Sequence, residues 1–188
     1  MNRREILRYT ALATGAAVAG PLVSSLLTGC RTDTAAGTET GALAFFDPGE
    51  FDLVKTLADL ILPKTDSPSA SEVGVHLMID HMVGSVYVEA DQAAYRSGFT
   101  ALAGYLDQAG FKDLSGEQKT ELLKALDLSS DEALSGVKQA FLDFKQQVIA
   151  YYLTSEEVGT HFLTYLPVPG SYEPCITVEQ AGGKAWAI

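Results

Sequence analysis

The sequence predicts an all-α compact domain of about five or six helices, followed by an extended, proline-rich arm at the C-terminus. Apolar residues recur at the helical period between about residues 51 and 153. No sustained alternation of apolar and polar residues with β-branched side chains occurs before Cys175, and the sequence contains neither Asn-Gly nor Asp-Gly hairpin dipeptides. From Tyr165 onwards, prolines recur too closely for a helix to continue.

Length and charge exclude several classes of protein. The 188 residues include 13 Lys+Arg and 24 Asp+Glu, which gives a formal net charge of −11 and disfavours unaided binding to nucleic acid. An apolar fraction of 47% with 20% charged residues is ordinary for a folded chain. We therefore expect one globular domain and no nucleic-acid partner.

The first 29 residues have the features of an export signal. A basic start with adjacent Arg3 and Arg4 is followed by a long uncharged apolar stretch. The arginine pair resembles the twin-arginine consensus, which directs folded proteins across the membrane. The motif LTGC, which ends at Cys30, resembles the bacterial lipobox, in which the cysteine carries a lipid and the chain is cut before it. We predict a signal peptide over residues 1–29 and lipidation of Cys30.

Both patterns have a less specific interpretation. The arginines could be the basic region of a general secretory signal, and Cys30 could be an ordinary residue in that signal or in an uncleaved anchor. The apolar stretch is interrupted by Gly20-Pro21 and rich in small residues, which makes it a poor permanent transmembrane helix. Every alternative places the domain outside the cytoplasm, and our prediction is a lipid-anchored protein on the periplasmic side of the membrane.

Residues 30–44 are predicted to be a flexible tether, because they are mostly small and polar and lack an apolar period. The domain is predicted over residues 45–188. Its first helix starts at DPGE, residues 47–50, where a cap, a first-turn proline and a third-position acid follow one another, and ends at Pro63. The other helices are predicted at residues 70–83, about 91–109, from the capping box at Ser115, and 131–153.

The segment from Tyr165 to Cys175 must be extended, because Pro167, Pro169 and Pro174 each remove a backbone donor and restrict the preceding residue. An apolar extended segment lies either on its own helices or on a partner. We predict that a partner binds residues 151–175 together with Trp186. The aromatic, proline and cysteine residues selected for this interface are Tyr151, Tyr152, Tyr165, Pro167, Pro169, Tyr172, Cys175 and Trp186.

The sequence offers little support for catalysis by this chain alone. It contains no glycine-rich phosphate loop and no Cys-x-x-Cys-His haem motif. His76 and Asp80 have i,i+4 spacing that could orient an imidazole for acid–base chemistry, although a helix-surface His beside an acid is common without function. His161 is expected to be a partly buried structural or interface residue, and the carboxylates are expected on solvated helix faces. We predict no catalytic, cofactor-binding or metal-binding residue.

Cys175 is the only thiol of the mature chain if Cys30 carries a lipid. In an oxidising compartment such a residue is either a buried free thiol or one half of an intermolecular disulfide. Its position in the proline-rich arm favours exposure, and both alternatives stay open.

Together these residues resemble the gluconate 2-dehydrogenase subunit 3 family. The resemblance extends from about Phe45 to Trp186, and it rests on LADLILP at 57–63, VGV at 73–75, Asp80, YYLTS at 151–155 and YLPVPGSYEPC at 165–175.

The resemblance implies a non-catalytic small subunit of a periplasmic dehydrogenase complex. In this family the chemistry belongs to a large FAD-containing flavoprotein of the glucose–methanol–choline type, which acts on a sugar or sugar acid, usually with a c-type cytochrome that passes electrons onward. The small subunit often carries a twin-arginine signal and escorts the folded partner during export. The lipobox departs from the simplest family member and suggests that this subunit also tethers the complex.

Two other functions stay open. An independent envelope lipoprotein could bind a small ligand or scaffold a complex unrelated to redox chemistry, and a neighbouring gene for a large FAD oxidoreductase would argue against it. An enzyme in its own right would require activity that disappears when His76 or Asp80 is changed.

Overall fold

The computed structural model describes residues 43–166, 168, 170–171 and 175–187. The predicted signal peptide with Arg3 and Arg4, the lipidation residue Cys30 and nearly all of the predicted tether lie outside these ranges. So do three residues predicted for the partner interface, namely Pro167, Pro169 and Tyr172.

The described residues form six α-helices and no strand, which confirms the predicted all-α domain. None of these helices is both long enough and apolar enough to cross a membrane. Short 3-10 turns occur at Phe111–Asp113 and Glu132–Leu134, and a π-helical turn occurs at Met82–Val86. The helices are α1 Pro48–Ile61, α2 Val75–His81, α3 Glu89–Gln108, α4 Gly116–Leu128, α5 Ser135–Leu153 and α6 Glu156–His161.

Two capping boxes fix the starts of α1 and α4 as predicted. The Asp47 carboxylate accepts a hydrogen bond from the N–H of Glu50 (2.8 Å), whose own carboxylate accepts from the N–H of Asp47 (3.2 Å). Ser115 and Gln118 make the same reciprocal pair at 3.3 and 2.9 Å. Each box satisfies two N–H groups that the first turn of a helix otherwise leaves unpaired.

The start of α2 differs from the prediction. Residues 70–74 form turns instead of the first helical turn, and α2 begins at Val75. Gly74 adopts φ = 77°, a left-handed conformation that ends any helical run before it. The loop is held by its own bonds, since Asp59 on α1 accepts from the N–H of Ser71 (2.8 Å). The 3.6-residue pattern therefore continues through a segment whose backbone is not helical.

Helix α5 is the centre of the domain, because it contacts each of the other five helices. Its closest neighbour is α3, and these two helices are also the longest of the described chain. The inward face of α5 buries three large side chains almost completely, each worth about 1.5–3 kcal/mol relative to exposure. They are Phe141, Phe144 and Val148.

Candidate functional site

The C-terminal segment turns back onto the end of the helical domain. Thr164 pairs with Trp186 in a parallel bridge. The N–H of Thr164 donates to the carbonyl of Ala185 (2.7 Å), and the N–H of Ala187 donates to the carbonyl of Thr164 (3.0 Å). These bonds hold the end of the chain beside the residues that follow α6.

This segment leaves large apolar side chains in solvent, with exposed fractions from 40% at Ile176 to 81% at Val168. Exposed apolar side chains that recur in one segment are typical of interaction surfaces. We call the segment the apolar arm and define it by its exposed large apolar residues, which are Tyr165, Leu166, Val168, Ile176, Val178 and Trp186.

The predicted interface residues lie in different environments. Tyr165 is 57% exposed and Trp186 is 46% exposed, and both lie on the apolar arm. Cys175 is a free, exposed thiol in the same segment, which removes the alternative of a buried thiol. Tyr152 is only 7% exposed, and its hydroxyl donates to the carbonyl of Pro68 (2.8 Å), so this side chain packs in the core of the domain.

A groove of about 550 Å³ lies between α3 and α5, and it includes Tyr151, another predicted interface residue. The two helices approach closely here, since a Cβ built at Gly98 would lie 3.2 Å from the Cβ of Ala140. We call it the tyrosine groove, because its aromatic lining residues are Tyr87, Tyr95, Phe99, Phe144 and Tyr151.

A hydrogen bond links Tyr87 to Gln147, whose amide nitrogen donates to the Tyr87 hydroxyl (2.7 Å). Two buried atoms of the groove, Tyr95 Oη and Gln147 Oε1, have no hydrogen-bond partner among the described residues. Both atoms are inaccessible to solvent, and leaving such a polar atom unpaired costs about 1–3 kcal/mol.

The groove presents neutral hydroxyl groups flanked by two carboxylates. Burial raises the pKa of the Tyr95 phenol, and the neighbouring Tyr87 and Tyr151 phenols raise it further. The pKa of Tyr151 is also raised, first by burial and then by Tyr87. The charged residues that line the groove are Asp91 and Asp143.

We expect the domain to lose stability at alkaline pH, because Tyr95 keeps its proton in the folded state. The phenol of an unfolded chain ionises near pH 10, so above about pH 10 the unfolded state binds fewer protons and the free energy of unfolding falls. One retained proton lowers the free energy of unfolding by up to about 1.4 kcal/mol for each pH unit above this point. Urea unfolding from about pH 8 to about pH 11 measures this slope. It should be smaller in Tyr95→Phe, and an unchanged slope would contradict the assignment.

A second polar cluster fixes the start of the folded domain. The buried carboxylate of Asp80 accepts hydrogen bonds from three successive N–H groups, those of Ala44 (2.7 Å), Phe45 (3.0 Å) and Phe46 (2.9 Å). Arg96 donates to the carbonyl of Phe45 (2.5 Å) and lies over its ring at 3.9 Å from the centroid. We call Asp80 and Arg96 the entry clamp, since they hold residues 44–46, where the predicted tether ends and the predicted domain begins.

Two expectations for titratable residues are wrong. His76, expected on a helix surface, is 3% exposed and packs against the ring of Phe51, with the ring centroids 5.1 Å apart. Asp80, expected on a solvated face, is buried in the entry clamp. His161 is exposed at the end of α6, with its ring 3.6 Å from the Glu157 carboxylate, so of its two expected roles the partly buried one is excluded and the interface role stays a prediction. Helical spacing places a residue on a helix but does not show which face the neighbouring helices cover.

His76 and Asp80 do not form an open acid–base site, and the part of the chain that the structure describes holds no metal-binding cluster. His76 and Asp80 are both buried, and three of the roughly four acceptor positions of the Asp80 carboxylate are taken by backbone N–H groups. No group of three or more His, Cys, Asp or Glu side chains is placed to hold a metal ion in this part of the chain.

Sequence reasoning does not find the tyrosine groove. Tyr95 belongs to the apolar stripe of the third predicted helix, and Gln147 and Tyr87 are 60 residues apart in the chain. The available signal is chemical: a tyrosine at a core position brings a hydroxyl group that needs a partner.

The family model for gluconate 2-dehydrogenase subunit 3 matches residues 48–170. The matched range begins at the first residue of α1 and includes every residue that lines the tyrosine groove. No curated protein and no solved structure matches the chain.

Proposed function

Because this chain belongs to the gluconate 2-dehydrogenase subunit 3 family, we propose that it is the non-catalytic small subunit of a dehydrogenase complex. The proposed partner is a large FAD-dependent flavoprotein of the glucose–methanol–choline type, which oxidises a sugar or a sugar acid. The proposed complex includes a c-type cytochrome as its third subunit. The family match over residues 48–170 is the observation that carries it.

The apolar arm supports binding to a large partner. Covering exposed apolar side chains removes them from water and contributes roughly 25 cal/mol for each Å² that is buried. Trp186 and Tyr165 are well suited to this role, because large aromatic side chains often dominate the binding energy of interfaces. In this proposal Pro167, Pro169 and Tyr172, which lie outside the described residues, extend the same contact.

The proposal assigns FAD to the partner. The sequence of this chain contains no glycine-rich phosphate loop of the kind that binds dinucleotides. A flavoprotein that receives its cofactor in the cytoplasm must cross the membrane in the folded state. The twin-arginine motif at Arg3 and Arg4 would supply that route for both subunits, and a lipid on Cys30 would tether the complex on the periplasmic side.

Purification of the tagged full-length chain from its own envelope tests the proposal. We expect a large second chain to copurify and to show the absorbance spectrum of flavin. Deletion of the gene should leave that large chain in the cytoplasm, and its normal export without this subunit would contradict the escort role. Recovery of the small chain alone under mild conditions would contradict the subunit assignment.

The same preparation tests a covalent link through Cys175, which is exposed and free in this chain. On a non-reducing gel we expect a species of higher mass that contains both chains and disappears on reduction. This species should be absent from Cys175→Ser, which removes the thiol and changes little else. A species of the same mass that persists in Cys175→Ser would exclude this cysteine as the link.

One observation favours the alternative of an independent lipoprotein that binds a small ligand. The tyrosine groove has a volume of about 550 Å³, within the range of small-molecule sites. In that case the envelope preparation would contain the small chain with a bound compound and no flavoprotein.

A further inference from the structure

The C-terminal part of the chain contains a turn that its own hydrogen bonds close at both ends. At its start, the N–H of Thr177 donates to the side-chain oxygen of Gln180 (2.8 Å), and the N–H of Gln180 donates to the Thr177 hydroxyl (3.2 Å), which is a capping box. At its end, Gly182 adopts φ = 81°. The N–H groups of Gly182 and Gly183 donate to carbonyls three and five residues earlier (3.0 and 2.8 Å), the Schellman arrangement that ends many helices. We call residues 177–183 the capped turn.

Thr164 attaches the capped turn to the helical domain. Its hydroxyl group donates to the carbonyl of Ala181 (2.7 Å), which lies at the end of the turn. Its N–H and carbonyl form the bridge to residues 185–187. The ammonium group of Lys184 adds a bond to the carbonyl of His161 (2.8 Å). Thr164 therefore fixes where the capped turn lies relative to the residues that follow α6.

The capped turn is held in place without a buried side chain. No side chain of residues 175–187 is buried, and Ala181 and Ala187 are half-buried. Ile176 beside the turn and Val178 within it are 40% and 70% exposed. A segment that buries so little apolar surface gains little hydrophobic stabilisation from its own domain, so hydrogen bonds provide most of its attachment. The turn is ordered by local bonds while its large apolar side chains stay in water, which is typical of an interaction surface.

The charge of this segment indicates the kind of surface that covers it. Residues 175–187 contain one acidic and one basic residue, Glu179 and Lys184, so their net charge is zero and the formal charge of −11 belongs to the rest of the chain. The cores of protein interfaces are depleted in charged residues and enriched in aromatic ones such as Trp186. A lipid surface is disfavoured, because membrane-binding segments carry several Lys or Arg residues and anionic lipids repel an acidic chain. An apolar depression on another protein fits this segment best.

We propose that the capped turn, together with Trp186, is the part of the apolar arm that the flavoprotein recognises, and that Thr164 is the residue that positions it. The turn is already formed by its own bonds, so binding does not have to order it, and the entropic cost of association is lower. This inference rests on the proposed function, because the flavoprotein is the occupant.

Thr164→Val tests the positioning role, since valine keeps the branched shape and the backbone bonds but removes the hydroxyl group. Thr160→Val is the matched control, because the exposed Thr160 hydroxyl bonds the carbonyl of Glu156 (2.6 Å) within α6. With the tagged full-length chain below saturation, Thr164→Val is expected to retain about fivefold less flavoprotein, the effect of one net hydrogen bond of about 1 kcal/mol. Thr160→Val, and Thr164→Ser with its hydroxyl group, should retain the unchanged amount. Equal retention by both valine variants would overturn the positioning role.

The fluorescence of Trp186 reports on the same bond without the partner, since this is the only tryptophan of the chain. Its side chain is 46% exposed, so release of the segment in Thr164→Val should raise the acrylamide quenching constant by up to about twofold. Thr160→Val should be quenched like the unchanged protein. The urea midpoint is expected to be the same in all three proteins, because no side chain of residues 175–187 is buried. An unchanged quenching constant in Thr164→Val would show that the hydroxyl group does not hold the turn.

Two charged substitutions test the contact itself. Val178 and Leu128 are both highly exposed, at 70% and 81%, but only Val178 lies on the capped turn. Val178→Asp is expected to retain about tenfold less flavoprotein, because the interface would bury its carboxylate. Leu128→Asp is expected to retain the unchanged amount. Both positions are in solvent, so neither variant disturbs the core, and equal retention by the two would overturn the proposal.

Photo-crosslinking identifies the occupant. A photoreactive amino acid at position 178 is expected to join this chain to the flavoprotein in the native envelope, and one at position 128 is not. A crosslink from position 178 to lipid, or to a second copy of this chain, would overturn the proposal.

Failure of this inference and failure of the proposed function give different results. If the unchanged chain captures no flavoprotein, the subunit assignment fails and the capped turn loses its occupant. If the unchanged chain and Val178→Asp capture the flavoprotein equally, the subunit assignment stands and only the recognition by the capped turn is overturned.

Discussion

Asp80→Ala is expected to lower the free energy of unfolding by about 3 kcal/mol, since hydrogen bonds to a charged group each contribute about 1.5–3 kcal/mol and water compensates part of the loss. The substitution removes the acceptor of three N–H groups, those of Ala44, Phe45 and Phe46. The N–H of Phe46 is in a buried bond, and water cannot easily replace the carboxylate there. The segment that leads into α1 would then lose its main attachment to α2.

Urea unfolding followed by circular dichroism measures this loss. Asp52→Ala is the matched control, because Asp52 is an exposed aspartate on α1, and a change of less than about 0.5 kcal/mol is expected for it. Asp80→Asn should fall between the two, since its amide keeps one acceptor oxygen but turns an NH₂ group toward the backbone donors. A loss of less than about 1 kcal/mol in Asp80→Ala would show that the clamp does not hold this segment.

Gly84→Ala is expected to destabilise the domain by about 2 kcal/mol, the usual cost of overpacking a tight contact. The direction is informative, because replacing glycine by alanine inside a helix ordinarily stabilises it by up to about 1 kcal/mol. A Cβ at Gly84 would lie 2.6 Å from the carbonyl carbon of Ala44 and 2.7 Å from its oxygen. Both are backbone atoms that Asp80 holds in place through the N–H of Ala44, so they cannot move away without breaking that bond.

Gly104→Ala is the control, and its expected change in stability has the opposite sign. Gly104 lies inside α3, and a Cβ there would meet no other atom within 4 Å. This variant should be as stable as the unchanged protein or more stable. If Gly84→Ala is stabilised like Gly104→Ala, the close approach of Ala44 is excluded.

The two large effects should not be additive. Asp80 and Gly84 both act on the Ala44 segment, and once Asp80→Ala has released it, the added methyl group at position 84 has less to collide with. The double variant is expected to be more stable than the sum of the single effects indicates, by about 0.5 kcal/mol or more. Strict additivity would mean that the segment stays in place without the carboxylate.

Helical order along the chain was predictable because it depends on local chemistry. The capping sequences at Asp47 and Ser115 form the predicted bonds, and the fold class follows from the period of the apolar residues. The start of α2 was not predictable from that period, since Gly74 and the loop before it interrupt the backbone while the apolar pattern continues. The family was also recognisable from short motifs, and the match over residues 48–170 confirms it.

The candidate sites depended on contacts between distant segments. Helical spacing places Asp80 on α2, but only packing against the Ala44 segment turns its carboxylate into the acceptor of three N–H groups. Likewise, Tyr87 and Gln147 meet because α3 and α5 pack closely at Gly98. The sequence by itself therefore determined the all-α class, the capped starts of α1 and α4 and the family. The tertiary structure decided which polar side chains are buried and which are left unpaired, because burial depends on what the other helices cover.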